Sequence, residues 1–237
     1  MKYFWLVDEL KIGFLTIGQS PRIDVTAEIS PILGSNFEIY EAGALDGLSS
    51  EDIKRLEPSP GEITYVSRLK DGSEIKLSRE HIIPLLMEKV KYLERLGVKC
   101  IGLLCSGVFP ELYSRVPLVK PEPILRGMVE SISNRNIILG VIMPSPRQIN
   151  MGLRKWMHIE CSDVVVESFS PYTIERRVEN IRRIAEKFKG FNVNLAVMDC
   201  IGFTFKDAVR FKSFYNIPVL TARFALISGL KAVLNEC

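Results

Sequence analysis

Two cysteines stand in matched surroundings. Cys105 falls near the end of Cys100-Ile101-Gly102-Leu103-Leu104-Cys105-Ser106-Gly107, and Cys200 near the end of Leu195-Ala196-Val197-Met198-Asp199-Cys200-Ile201-Gly202. In each an apolar run of strand length leads into Cys-x-Gly. Each run also follows a helical stretch stopped by a glycine, Gly97 or Gly190. The carboxyl end of a strand is where open parallel sheets bind ligands. A thiolate on one face of a carbon next to a carboxylate could remove its proton while a thiol on the other face returns one. The carbanion is poorly stabilised, so this chemistry needs a base held close and dipoles aimed at the carboxylate. A free cysteine titrates near pH 8.5, and oriented peptide N–H groups at a following helix start favour its thiolate. Gly107 and Gly202 let the backbone approach a ligand, and Ser106 is a donor for a carboxylate.

Packing alone is the competing account, because free cysteine is among the most buried residue types. The paired positions put chemistry on a level with packing for Cys105 and Cys200. Cys100, Cys161 and the terminal Cys237 lack that context and read as structural or incidental. Ile201 cannot donate a hydrogen bond, and Asp199 would raise the Cys200 pKa if its charge pointed inward. Strand alternation places it on the opposite face. A second polar group is Gly18-Gln19-Ser20-Pro21-Arg22, between a strand and a helix. Its amides and the side chains of Gln19, Ser20 and Arg22 could hold an anion. The plain alternative is a helix start capped by Ser20 with Pro21 at the first helical position. Arg147 occupies the equivalent place in Ser145-Pro146-Arg147 and is a lesser candidate. Glu41 and Asp46 read equally as site or capping carboxylates, and His81 and His158 as surface or core fillers.

Composition narrows the classes. The 237 residues are 47% apolar, enough for a proper core, and 31 Lys+Arg against 28 Asp+Glu give a formal charge of +3. That balance carries neither a nucleic-acid footprint nor a membrane-surface patch. No run approaches a bilayer span, and Met1 to Glu9 makes a poor signal peptide, so a cytoplasmic protein is expected. Five cysteines without CxxC or Cys/His spacing argue against a disulfide framework and a structural zinc site. Two histidines, His81 and His158, leave little material for a His-based metal centre.

The elements that must position the thiols are α/β. Apolar runs of strand length alternate with helical patterns: a strand over Ile12 to Ile17, a helix from Ile23 to Leu33, a strand from Phe37 to Ala42. Ile63 to Ser67 and Glu74 to Leu77 flank Asp71-Gly72 and predict a β-hairpin. Ile82, Leu85, Leu86, Val90, Leu93 and Leu96 recur at helical spacing after Ser78. A second series begins at Ile137 to Met143, with helices to Met157, from Thr173 to Lys189, around Phe205 to Phe214 and from Arg223 to Leu234. The two Ser-Pro-Arg motifs lie 125 positions apart (145 − 20) and the two cysteines 95 apart (200 − 105). One insertion of about 30 residues, roughly 49–78, reconciles the two offsets. Two pseudo-symmetric parallel-sheet halves follow, the first over 1–115 with the hairpin insertion and completed by the C-terminal helix, the second over 116–237.

Gly13 to Val25, Tyr40-Glu41-Ala42-Gly43-Ala44-Leu45-Asp46-Gly47-Leu48 and the two cysteine segments resemble the AroM family in sequence and order. That family has no settled activity. More distantly, paired cysteines in duplicated halves look like the aspartate/glutamate racemase superfamily, whose enzymes need no cofactor and are often dimers. The resemblance implies that fold, a small carboxylate-bearing ligand and a homodimer. It also implies racemase or isomerase chemistry through Cys105 and Cys200, with Gln19, Ser20, Arg22, Ser106, Gly107 and Gly202 around the ligand. The match is incomplete: racemase relatives usually carry Asn-Thr after the first cysteine and Thr-His or Thr-Glu after the second, where Ser106-Gly107 and Ile201-Gly202 stand here. A binding or sensing protein, or a decarboxylase or hydrolase using one cysteine, are the alternatives.

Overall fold

The computed structural model describes residues 10–34 and 37–234. Met1 to Glu9 and Cys237 lie outside the described residues. The chain runs β1 (Leu10–Thr16), α1 (Ile23–Leu33), β2 (Phe37–Gly43), α2 (Ser50–Lys54), β3 (Thr64–Arg68), β4 (Glu74–Ser78), α3 (Arg79–Arg95), β5 (Cys100–Leu103) and β6 (Leu118–Val119). It continues α4 (Pro121–Ile132), β7 (Ile138–Met143), α5 (Ile149–Trp156), β8 (Asp163–Ser168), α6 (Arg177–Gly190), β9 (Leu195–Met198), α7 (Phe205–Phe214), β10 (Val219–Thr221) and α8 (Ala222–Leu234).

Central strands that are apolar on both faces must be covered on both faces, which favours parallel sheets with crossover helices. Two such sheets form, ordered β2-β1-β5-β6 and β8-β7-β9-β10. With the β3–β4 hairpin set aside, each sheet places its four strands in the sequence rank 2-1-3-4. The α/β fold of two related halves is therefore present in the topology itself. The hairpin pairs Thr64 with Ser78 through Arg68 with Glu74, antiparallel, around Asp71-Gly72.

The sheets share one core. Ile12, Phe14 and Cys100 of the first sheet join Leu139, Val141, Leu195 and Val197 of the second, with α4, α5 and α8 between them. The outer face of the first sheet packs under α3 and the hairpin, and that of the second under α6 and α7. α8 lies against α1, α4 and β5, and its Leu230 reaches Gly102.

Four local expectations change. β6, too short to show a period, pairs with β5, so the first sheet takes its last strand from beyond residue 115. The one-turn α2, held by the Ser49 side chain accepting from the Asp52 N–H, was equally invisible. Helix α1 starts at Ile23 as expected, but Arg22 rather than Ser20 stands at the cap position. Helix α6 starts at Arg177, four residues after Thr173, because Pro171 and the bonds Arg177 makes hold the preceding loop. Among the described residues no helix is long and apolar enough to cross a membrane.

Candidate active site

Cys105 and Cys200 each stand two residues beyond the third strand of their half, β5 and β9. Both line one cavity at the seam between the sheets, with Tyr65, Ser106, Gly107, Met143, Gln148, Lys155 and Asp199. The Cys-x-Gly spacing has a physical meaning here. The Gly202 N–H donates to Cys200 Sγ at 3.4 Å, and the Gly107 amide lies by Cys105 and opposes the rise of its pKa. Only glycine fits either place. A Cβ on Gly107 would stand 2.6 Å from the Tyr65 ring, and one on Gly202 would stand 2.8 Å from Pro171 and 2.9 Å from Tyr172. Tyr65 and Tyr172 both lie in the connection that follows the second strand of their half, so each thiol loop is roofed from an equivalent direction.

Both thiols are neutral in this form. Burial above all, with a smaller contribution from the neighbouring Cys200, pushes the Cys105 pKa up to about 12 against the Gly107 amide, Arg22 and Lys155. Burial pushes Cys200 up to about 11, Asp199 adds to it, and the Gly202 amide, Arg22 and Arg223 oppose it. The cavity itself is about 20 Å³, room for about one water molecule. A carboxylate ligand requires the seam to open.

Asp199 points inward, against the expectation from alternation, because β9 ends at Met198 and the strand geometry stops there. Its charge is answered. Lys155 Nζ donates to both carboxylate oxygens at 3.0 and 2.9 Å, and Trp156 Nε1 donates at 2.8 Å. Lys155 also donates to the Ser106 carbonyl at 3.2 Å, tying the second half to the Cys105 loop, and approaches Glu122 of α4 at 3.8 Å. Sequence reasoning passed over Lys155 because Arg154-Lys155 on a short helix reads as a solvated face; the signal was an aspartate ending an apolar strand, which needs a buried partner.

Of the residues expected around a ligand, the structure brings Cys105, Ser106, Gly107 and Cys200 to the cavity. Gly202 lines a neighbouring cleft of about 150 Å³ with Asp24, Arg68, Tyr172, Arg177 and Arg223. Gln19 and Ser20 are occupied otherwise. The Gln19 side-chain Oε1 accepts from the Lys70 N–H at 2.8 Å, docking the hairpin, and the Ser20 N–H and hydroxyl both donate to Asp46. Arg22 is 2% exposed; its guanidinium donates to Asp24 through two nitrogens, to Thr16 at 3.1 Å and to the Tyr172 hydroxyl at 3.3 Å. Glu41 accepts from the Arg22 N–H and from Thr26. Arg147 is exposed and lies away from the thiols, beside Glu57 and Glu74. Arg223 was missed because one arginine at a helix start looks like a surface residue. It is 1% exposed, donates to the Ile201 carbonyl and to Glu28, and so ties α8 to both halves. Among the described residues no cluster of three or more His, Cys, Asp or Glu could hold a metal ion.

A family model described as AroM protein matches residues 12–234. The chain belongs to the AroM family. No curated protein matches it in sequence. Its fold is that of the Asp/Glu racemase-like proteins. Glutamate racemase from Francisella tularensis, solved with D-glutamate, superposes with a TM-score of 0.59 at 16% identity over 97% of this chain and 82% of its own. Allantoin racemase from Klebsiella pneumoniae gives 0.63 at 12% identity, covering 95% and 88%. Picrophilus torridus aspartate racemase gives 0.55 at 13% identity, covering 95% and 94%. At these identities the likeness of the AroM-family chain to them is one of fold.

Proposed function

We propose that the protein is a cofactor-independent isomerase or racemase of a small carboxylate, with Cys105 and Cys200 as base and acid. One observation carries the reading: two thiols at equivalent strand ends of two related halves face one cavity, each with the glycine two residues on beside it. A packing role requires neither the equivalence nor the shared cavity. The fold neighbours support it, being racemases of glutamate, aspartate and allantoin.

In the forward direction one cysteine, as thiolate, takes the proton from the carbon next to the carboxylate, and the electron pair of that C–H bond stays on the substrate. The other cysteine, as thiol, delivers its own proton to the opposite face and becomes the thiolate, so the reverse reaction starts from the exchanged state. The closed cavity keeps both thiols protonated, and opening of the seam admits water, relieves their desolvation and lets one ionise. Arg22 adds positive charge within reach of both sulfurs while its donors hold Asp24, Thr16 and Tyr172.

The test is solvent proton exchange. The protein is incubated in deuterated buffer with α-amino acids, α-hydroxy acids and small dicarboxylates, and deuterium at the α-carbon is read by mass spectrometry and NMR. Exchange lost in both Cys105→Ala and Cys200→Ala is the expected result. Loss in only one assigns single-thiol chemistry, and exchange retained in both, or absent across ligands that bind, refutes the proposal.

A further inference from the structure

The cavity walls select against a second charge. Its lining includes Tyr65, Val66, Val108, Met143, Met151 and, within the Cys200 loop, Ile201, which are apolar except for one phenol. The Tyr65 hydroxyl already donates to the Val108 carbonyl. Its two charged side chains, Lys155 and Asp199, neutralise each other. A ligand side chain ending in a carboxylate would therefore be buried without a counter-ion, which is strongly unfavourable. One polar group on the wall is unfinished. Gln148 is 5% exposed and its Nε2 donates to the Thr64 carbonyl at 2.7 Å, which fixes the direction of the amide. Its buried Oε1 has no partner among the described residues. An acceptor held in that state calls for a donor from outside the chain.

We infer that the ligand is an α-amino or α-hydroxy monocarboxylic acid with an apolar side group, and that Gln148 Oε1 accepts a hydrogen bond from its α-substituent. The inference rests on the two-thiol reading for the location of the ligand and adds its class. The apolar wall takes the side group, Ser106 meets the carboxylate, and Gln148 distinguishes ligands that carry a donor from those that do not.

The experiment compares leucine, phenylalanine and 2-hydroxy-4-methylpentanoate with aspartate, glutamate and malate in α-deuterium exchange, and measures binding of the same compounds and of 4-methylpentanoate by calorimetry. Exchange of the apolar acids should exceed that of the dicarboxylates by at least about 100-fold in kcat/KM. Gln148→Met should weaken leucine binding about tenfold and leave 4-methylpentanoate unchanged. Val108→Arg, at a position 46% exposed and so tolerant of a long side chain, should narrow the preference over dicarboxylates at least about tenfold. Equal or better exchange of dicarboxylates overturns the inference and leaves the two-thiol reading standing. If no compound exchanges, that reading fails and calorimetry decides the ligand class: selective binding of the apolar acids upholds it, and binding of dicarboxylates or of none refutes it. A Gln148→Met protein that binds leucine as the parent does refutes the role of Gln148.

Discussion

Replacing Lys155 by methionine keeps the length of the side chain and removes the ammonium. Lys155 and Asp199 side chains are 6% and 1% exposed, so solvent screens the pair little. Of the donors to Asp199, the substitution leaves the Trp156 indole N–H. Breaking one partner of a buried pair costs about 3–5 kcal/mol. Urea unfolding followed by tryptophan fluorescence should therefore give a loss of about 3–5 kcal/mol at pH 7. The double variant Lys155→Met/Asp199→Leu should recover at least about 2 kcal/mol of the pH 7 loss, since an apolar pair can replace a buried ion pair at little cost. A loss below about 1 kcal/mol at pH 7, or a double variant no more stable than Lys155→Met alone, would mean that the pair is not the buried counter-ion arrangement described.

The raised thiol pKa values make the protein alkali-sensitive. In the folded state Cys105 and Cys200 hold their protons to about pH 12 and 11, whereas unfolded cysteines release theirs near 8.5, so stability is complete below that value and is lost as pH rises toward the folded values. Urea unfolding at pH 8, 9 and 10 should show a decline of up to about 1.4 kcal/mol per pH unit per thiol, shallower in the two alanine variants; a flat profile would contradict the burial of the sulfurs. At the roof of the second loop, Gly202→Ala should cost about 1–3 kcal/mol because Pro171 and Tyr172 must both move, whereas Gly127→Ala in α4, with nothing near its Cβ, should stabilise by up to about 1 kcal/mol. Thermal or urea midpoints for the two substitutions, measured together, check the ordering.

The parts of this architecture that depend on period and punctuation could be read from the chain. The alternation of apolar runs with amphipathic stretches, Asp71-Gly72 between extended segments and the offset of the two cysteines led to two parallel sheets and a hairpin. The polar wiring could not be read so directly. Gln19, Ser20 and Arg22 were singled out as a group that could hold an anion, yet in the fold Lys70, Asp46, Asp24 and Tyr172 take them up, from 2 to 150 positions away. Which carboxylate reaches which arginine is decided by tertiary contact. Asp199 shows the limit of a local rule, since side-chain alternation holds only while the strand lasts and β9 stops one residue before it.

The last helix is shared rather than owned. α8 fills the space against α1, α4 and β5 of the first sheet, and Arg223 at its start holds Glu28 of α1 and the Ile201 carbonyl at once. On a ribosome it emerges after every strand of both sheets. Until then the inner face of the first sheet lacks one of its covers, and Glu28 lacks its guanidinium. The amino-terminal half thus cannot finish folding ahead of the other half during synthesis. The two mature together once residue 234 is free of the exit tunnel, with an apolar face open until that moment and in need of protection from other chains.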